Sequence, residues 1–344
     1  MPFSMSFSLP LPVPGAPDLL LLLLAALTFD ALFGDLAVLE RVLGLPRRTV
    51  LAAAGWCDRR LNRLNRSPAA RAVRGFIVMA VFAFGAVAAG LALTLALRWV
   101  PDGHLTYGRL PYGRLPYGRL VELLIVAGAI GLRRPWNLLR AVGGALEWQG
   151  VTAGREAVRS LTGRHVYSLD EHGVVRVAIE GAAQALERRV VAPALWYALL
   201  GLPGLLLWMA SDGLAHAIGG GPRHDRFGRP AAVLHGLLGY VPARLTALLV
   251  VLACPFVPKA RASEAVRTLF SAGPPAVAAF AGALDLSLGG PRREGEVLVR
   301  DAWIGEGRAR AVPADIRRAQ AVYAVACLLL AGLVVTAAVL PRYV

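Results

Sequence analysis

Two carboxylates interrupt an apolar run near the start of the chain. Asp30 and Asp35 lie within the stretch from about Asp18 to Leu39, which is otherwise rich in Leu, Ala and Phe. A carboxylate at membrane depth is costly, so such a residue is a functional candidate. The alternative is that both aspartates lie in water at the cytoplasmic end of a membrane span.

A second set of polar residues shares one stripe of a predicted helix. Glu180, Gln184 and Arg188 stand at positions i, i+4 and i+8, which lie on one helix face. This helix is predicted to start at a capping box over residues 168–171 and to run unbroken towards Pro193. The stripe is more typical of a surface row of ion pairs and hydrogen bonds than of a metal site.

The segment from Asp212 to Gly228 combines glycines with basic residues. Its second half holds three consecutive glycines, two arginines and a histidine, namely Gly219, Gly220, Gly221, Arg223, His224 and Arg226. Such a segment can form a backbone nest for an anion, although a plain loop is the favoured interpretation. His216, His224 and His235 could approach one another. They lack carboxylate or thiol companions at ligand spacing, so we predict no metal site.

Arg244 follows Pro242 and Ala243 just before a short apolar segment. At the end of a span, an arginine usually extends its charge to the membrane surface while its stem stays in the apolar layer. Arginine also binds phosphate through two parallel hydrogen bonds. Charge placement alone favours the anchoring role.

The composition places these residues in a membrane protein. Of 344 residues, 56% are hydrophobic and 17% charged, and the mean hydropathy is +0.56, whereas soluble domains average about 25% charged residues. These values argue against an ordinary soluble enzyme, a disordered chain and a disulfide scaffold. The formal charge is +15, but the positive-inside rule explains arginines beside apolar runs, so nucleic acid is not an expected partner. The three cysteines are far apart and predict neither a disulfide nor a zinc site.

Six apolar segments predict an all-α, multi-pass membrane protein with about four to six transmembrane or re-entrant helices. They cover residues 18–39, 75–97, 121–132, 190–210, 245–257 and 319–340. The third and fifth are shorter than the ~20 residues that a crossing needs, so whether they cross stays open. Positive residues in the five connecting loops alternate as nine, four, nine, four and ten. Loops one, three and five, at residues 40–74, 133–189 and 258–318, are therefore predicted to face the cytoplasm.

A pentapeptide is used three times between residues 106 and 120, which read TYGRL-PYGRL-PYGRL. Glycine and proline in each unit oppose both helix and strand, so a low-complexity loop insertion is predicted. A contact of Arg109, Arg114 and Arg119 with lipid headgroups is the alternative. Further on, Pro313 is predicted to start the helix that leads into the last span.

An ordered series of short motifs resembles the CobD/CbiB family of membrane proteins of cobalamin biosynthesis, over roughly residues 19–320. It begins with Asp30-Ala-Leu-Phe-Gly34-Asp35, similar to a D-x-x-x-G-D opening, and includes Tyr240-Val-Pro-Ala-Arg-Leu-Thr246. Other matching motifs stand at 58–63, 74–75, 163–164, 169–170, 179–180, 190–193, 196–197, 201–203, 227–228, 289–291 and 303–305. The resemblance implies one inner-membrane domain over residues 1–344, with the repeat at 106–120 as an insertion.

The resemblance further implies an ATP-dependent ligase. It would join adenosylcobyric acid, through a propionate side chain, to aminopropanol phosphate, and give adenosylcobinamide phosphate with ATP and Mg²⁺ as cofactors. By position, the expected catalytic residues are Asp35, Arg164, Glu180 and Arg244, and the expected substrate-binding residues are Asp30, Asp212, Gly219, Phe227, Gly228 and Tyr240. No residue is assigned to a resident metal. Expected partners are the corrinoid, the amine, the lipid bilayer and other enzymes of cobalamin biosynthesis.

Beside the resemblance stand departures from the family pattern. Gln184, Arg188 and His235 occupy positions where the pattern has acidic residues. A Mg²⁺ site built on an acidic stripe could not form here with the same geometry, because hard cations need oxygen ligands. The alternative function is therefore a catalytically inactive or repurposed member that acts as a membrane scaffold or corrinoid-binding protein. A small-solute transporter is a third class, but no pair of broken spans suggests inverted repeats.

Overall fold

The protein is an all-α, multi-pass membrane protein, as the sequence predicts. The computed structural model describes residues 17–34, 45–63, 65–99, 104–106, 114–162, 169–219, 224–269, 273–294, 297–299 and 302–340. The helices are α1 (Pro17–Phe33), α2 (Leu45–Leu61), α3 (Pro68–Arg98), α4 (Tyr117–Ala129), α5 (Arg133–Gln149), α6 (Val151–Thr162), α7 (Glu171–Ala185), α8 (Ala192–Ile218), α9 (Arg229–Ala253), α10 (Ala262–Thr268), α11 (Pro275–Leu284) and α12 (Pro313–Val339). A π-helical turn, Leu186–Val191, joins α7 to α8, and a 3-10 turn, Cys254–Phe256, extends α9.

The strands form short antiparallel pairs that connect helices. β1 (His104–Thr106) pairs with β2 (Arg114–Pro116), β3 (Leu288–Gly289) with β6 (Trp303–Ile304), and β4 (Arg292–Glu294) with β5 (Val297–Val299). None of the described pairs joins a third strand, so the core is built by helix packing.

Four helical segments are long and apolar enough to cross a membrane. They are α3, the joined α7 and α8 (Glu171–Ile218), α9 with its 3-10 turn (Arg229–Phe256), and α12. In α3 only 11% of the most apolar stretch is buried, and Phe84 is 76% exposed, as expected of a side chain that contacts lipid. The fifth apolar segment is thus the second half of a long helix. At 17 and 13 residues, α1 and α4 are shorter than a ~20-residue crossing.

The chain folds back on itself inside α8. Gly201 has φ 65° and ψ −149°, a conformation that favours glycine, and Pro203 follows within the helix. Trp208 Nε1 donates to the backbone oxygen of Arg188 at 3.0 Å, whereas a straight helix would separate these residues by about 30 Å. Residues 192–200 and 202–218 are therefore two arms of a helical hairpin. Its bend packs on α3, where a Cβ at Gly90 would lie 2.4 Å from Pro203 Cα.

This reversal overturns the predicted alternation of loops. The structure brings the fourth loop to the first, because His224 Nε2 lies 3.1 Å from Asp58 Oδ1. Phe227 also packs against the start of α3, where a Cβ at Gly75 would lie 1.9 Å from its backbone oxygen. The prediction is wrong for the fourth loop, because charge counting took residues 190–210 as one crossing, whereas the bend at Gly201 returns the chain towards the side it came from.

The repeat differs in part from the predicted loop. Arg114–Pro116 form strand β2, with Leu115 opposite Leu105, and the third unit enters α4 at Tyr117. Proline only opposes a helix in its interior, and Pro116 precedes the first helical residue. Arg119 pairs with Glu122 at 3.1 Å. Arg109 lies outside the described residues, as does the side chain of Arg114.

Two predicted helix starts have different outcomes. Pro313 begins α12, as predicted. The helix after residue 168 begins at Glu171, and its N-cap is Asp170, whose side chain accepts from Gly173 N at 2.8 Å. Ser168 lies outside the described residues. The helix does run towards Pro193, as predicted, although through a π-helical turn, and it then continues into α8.

A labelling experiment tests the reversal. Introduced cysteines at Arg66 and Asp225, in a Cys57→Ala background, should react with a membrane-impermeant maleimide from the same side, because the first and fourth loops are in contact. A cysteine at Trp99, at the far end of α3, is the control and should react from the opposite side. Labelling of positions 66 and 225 from opposite sides would show that residues 190–210 cross the membrane.

A buried aspartate holds the start of α12. Asp315 is 2% exposed, accepts from Val312 N at 2.9 Å and pairs with Arg308 at 2.9 Å and Arg318 at 3.1 Å. We expect Asp315→Ala to destabilise the protein by about 3–5 kcal/mol, because two cations and one N–H lose their buried partner. The exposed pair of Arg317 and Glu147 is the control, and Glu147→Ala should cost about 1 kcal/mol or less. Thermal unfolding in detergent measures both, and equal losses would contradict the prediction.

Candidate functional site

Four arginines from three parts of the chain surround a cavity of about 300 Å³. Its charged lining residues are Arg48 on α2, Arg134 on α5, Arg188 and Arg189 in the π-helical turn, Asp30 on α1 and Asp212 on α8. Apolar walls come from Leu51, Ala127, Ile130, Pro193, Trp208 and Met209. The described lining has a formal excess of two positive charges, so the cavity favours an anion. A low-dielectric wall strengthens that preference.

The π-helical turn is explained by one missing donor. Pro193 has no N–H, so it cannot donate to Arg189 O as an α-helical residue would. The N–H of Ala192 donates instead to Glu187 O, five residues earlier, which leaves Arg188 O without its helical donor as well. Gly131 N donates to Arg189 O at 2.9 Å and Trp208 Nε1 donates to Arg188 O at 3.0 Å. Both carbonyl groups thus accept hydrogen bonds from residues that line the cavity. These bonds fix the positions of Arg188 and Arg189.

Asp30 positions the part of the cavity lining that contains Gly131 and Arg134. Its Oδ2 accepts from Leu132 N at 2.6 Å and from Arg133 N at 3.2 Å, at the start of α5. The Arg133 guanidinium donates in return to Ala31 O at 2.6 Å. A carboxylate at a helix N-terminus satisfies free N–H groups and interacts favourably with the helix dipole. Asp30 therefore joins α1 to the loop that bears Gly131 and to Arg134.

Asp212, on α8, lies between the imidazole rings of His216 and His235. Its Oδ1 is buried without a hydrogen-bond partner, 3.4 Å from His216 Nδ1 and 4.0 Å from His235 Nε2. The His235 ring lies against Trp208, with centroids 5.0 Å apart. Two of the histidines that the sequence suggested could approach one another do so, and His224 is held elsewhere by Asp58. In the described residues, no group of three or more His, Cys, Asp or Glu side chains is arranged to hold a metal ion.

Glu180 is placed away from this cavity. It is buried, at 7% exposed, and its Oε1 accepts from Gly289 N in β3 at 2.7 Å. The prediction that Glu180 belongs to a surface row of ion pairs and hydrogen bonds is therefore wrong, because β3 covers that face of α7. The π-helical turn inserts an extra residue before Arg188 and so breaks the i, i+4, i+8 register.

Five other predicted site residues also lie outside the cavity lining, and Tyr240 is one of them. Arg244 stacks 3.5 Å from the ring centre of Tyr240 on an exposed face of α9. Gly219 caps α8, with its N–H on Ala215 O at 2.8 Å, and Phe227 is fully buried under α3. Gly228 allows the turn to touch α8, because a Cβ there would lie 1.6 Å from Ile218 O. Asp35 and Arg164 lie outside the described residues.

The cavity arginines were the part that sequence reasoning missed. Arg48, Arg134 and Arg189 carry no motif, and Arg188 was assigned to a surface stripe. One signal was available, because the proline at 193 removes a donor from a helix that contains Arg188 and Arg189. Of the predicted set, the cavity brings together Asp30 and Asp212.

A matched pair of substitutions tests the bond between Trp208 and the π-helical turn. Trp208→Phe keeps a buried ring but leaves Arg188 O without a donor, which should cost about 1–3 kcal/mol. Trp196→Phe is the control, because its indole N–H donates to Leu238 O at 3.1 Å, outside the cavity lining. Hydrogen exchange by mass spectrometry should show faster exchange over residues 186–193 in Trp208→Phe and not in the control. Unchanged exchange there in Trp208→Phe would refute the role of this bond.

Comparison with known proteins identifies the family. The family model described as CobD/CbiB protein matches residues 23–323. A protein of Sinorhizobium sp named cobalamin biosynthesis protein CobD is 36% identical over 334 residues, which is 94% of this chain and 99% of that protein. Its namesake in Brucella melitensis is 32% identical over 340 residues, with 94% and 98% covered.

A shorter match agrees with these. The protein of the same name in Mycobacterium tuberculosis is 39% identical over 188 residues, 52% of this chain and 60% of the relative. No solved structure matches the chain. With the family model covering most of its length, and two relatives above 30% identity covering nearly all of it, this chain belongs to the CobD/CbiB family.

Proposed function

We propose that this protein, which acts in cobalamin biosynthesis, is the ligase that converts adenosylcobyric acid and aminopropanol phosphate to adenosylcobinamide phosphate. The observation that carries the proposal is the cavity, where four arginines face two aspartates. Aminopropanol phosphate has a phosphate at one end and an ammonium group at the other. Arginine binds the first and carboxylate the second, so the charges of the lining match those of this substrate.

The size of the cavity fits the amine better than the corrinoid. Pockets that enclose most of a drug-sized ligand measure about 300–1,000 Å³, and this cavity lies at the lower limit with about 300 Å³. A corrin ring with its adenosyl group is much larger. In the proposal the ring stays at the cavity mouth and one propionate enters, where its carbonyl carbon meets the amine.

ATP is the proposed source of activation. Transfer of its terminal phosphoryl group to the propionate gives an acyl phosphate and ADP, and attack by the amine then forms the amide and releases phosphate. The described residues contain no set of side chains that would hold Mg²⁺ alone. Mg²⁺ is therefore proposed to arrive with ATP, since this ion is commonly held by phosphates and waters with few protein ligands.

The proposed location is the inner membrane, with the cavity open to the cytoplasm. Arg48 belongs to the first loop and Arg134, Arg188 and Arg189 to the third, and both loops are rich in arginine. Arginine-rich loops remain on the cytoplasmic side. ATP and the phosphorylated amine are then available where the arginines lie.

Substitution of a cavity arginine tests the proposal. The purified protein in liposomes should form adenosylcobinamide phosphate from adenosylcobyric acid, aminopropanol phosphate and Mg-ATP. Arg188→Gln should raise KM for aminopropanol phosphate at least about tenfold, because loss of a buried charged partner costs about 2–5 kcal/mol. Arg226→Gln, on an exposed side chain outside the cavity lining, should leave KM unchanged.

Other outcomes separate the alternatives. Corrinoid binding without turnover would identify a catalytically inactive member that acts as a scaffold. Loss of activity in Arg244→Gln, with Arg188→Gln unaffected, would move the site from the cavity to the exposed face of α9. Either result would overturn the cavity as the catalytic site.

A further inference from the structure

We propose that Asp212 is the proton acceptor for the substrate ammonium group, and that His216, whose tautomer is set by Arg188, positions it. The inference rests on the proposed ligase function and adds the role of these residues. An ammonium ion has no lone pair, so the amine must lose a proton before it can attack an acyl phosphate. A base within hydrogen-bond reach of that nitrogen is therefore required.

The carboxylate of Asp212 meets this requirement by position. It lines the cavity, and 15% of its side chain is accessible. Oδ1 is buried beside the two imidazoles, so the carboxylate presents its Oδ2 side to the cavity. Asp30, the other carboxylate in the described lining, uses Oδ2 for two backbone N–H groups at the start of α5. Asp212 is thus the acid–base group, whereas Asp30 maintains the wall.

Arg188 fixes the tautomer of the neighbouring histidine. The Arg188 guanidinium, whose Nη1 lies 3.2 Å from His216 Nε2, can only donate a hydrogen bond, so Nε2 must accept. The ring proton is therefore on Nδ1, which faces Asp212 at 3.1 Å from its backbone oxygen and 3.4 Å from Oδ1. This N–H donates to the backbone oxygen and attracts the nearby Oδ1, so it holds Asp212 in place without occupying the cavity face of the carboxylate. Because Arg188 also lines the cavity, one residue links the phosphate end of the substrate to its amine end.

The proton and bond changes balance. The ammonium group transfers one proton to Asp212, and the free amine forms a C–N bond with the acyl carbon. The bond from that carbon to the phosphate oxygen breaks, and phosphate leaves with its electron pair. The second nitrogen proton passes to the released phosphate, and Asp212 returns its own proton to water.

Hydroxylamine separates this step from the rest of the reaction. It is mostly neutral at neutral pH and traps acyl phosphates as hydroxamates, so it needs no base. Asp212→Asn should lower kcat for the amide about 100-fold or more, the usual contribution of a general base. The same variant, given adenosylcobyric acid, Mg-ATP and hydroxylamine, should form the hydroxamate at a rate close to that of the wild type. Asp225→Asn, an exposed carboxylate in the turn before α9, is the control and should keep both rates.

The possible failures are distinguishable. Equal loss of amide and hydroxamate in Asp212→Asn would show that the residue supports the fold or the ATP step. Retention of both would show that another group takes the proton. Either result overturns the assignment of Asp212. If the wild type forms neither product, the proposed ligase function itself fails and this inference fails with it.

Two substitutions at His216 provide a second test that leaves Asp212 intact. His216→Phe removes the Nδ1 donor and should reduce amide formation without reducing hydroxamate formation. His216→Asn can donate from its side-chain amide and should restore part of the amide rate. Equal rates in the two variants would refute the positioning role.

Discussion

The missing N–H of Pro193 is the constraint on which the centre of the molecule depends. It leaves two carbonyls of one helical turn without their regular donors, and buried carbonyls must find others. The donors come from Gly131, in the loop after α4, and from Trp208, on the returning arm of α8. Three parts of the chain are therefore held together through the two backbone carbonyls of this turn. The two arginines that the turn carries acquire a fixed position between these parts.

Buried carboxylates perform a similar task elsewhere. Asp30 joins α1 to the start of α5, Glu180 joins α7 to β3, and Asp315 fastens the first turn of α12. Glu122 accepts from Tyr197 at 2.8 Å and so joins α4 to α8. Each accepts N–H or O–H groups, or pairs with a cation, and this compensates the cost of its burial. In an apolar interior these directional contacts select one packing among many that hydrophobic contact alone would allow.

The sequence predicted the features that depend on nearby residues. The apolar runs gave the fold class and the long helices, and the position of Pro313 gave the start of α12. The cavity was not predictable in this way, because Arg48, Arg134 and Asp212 come together only through the reversal at Gly201 and the contacts of α1 with α5. Asp30 was found because a carboxylate within an apolar run is unusual. Asp212 and Glu180 were assigned by their positions in the family pattern, and of these only Asp212 lines the cavity, because Glu180 binds a strand.

The bend at Gly201 also has a consequence for how the protein is made. The returning arm has 17 residues, at the lower limit of about 17–25 residues for a helix that crosses a membrane. Its broken backbone is tolerated at membrane depth only when other protein covers it. The surface that receives it, around Gly90 of α3, is synthesised earlier. Biogenesis therefore has an order, in which α3 must be integrated by the translocon before the hairpin can dock.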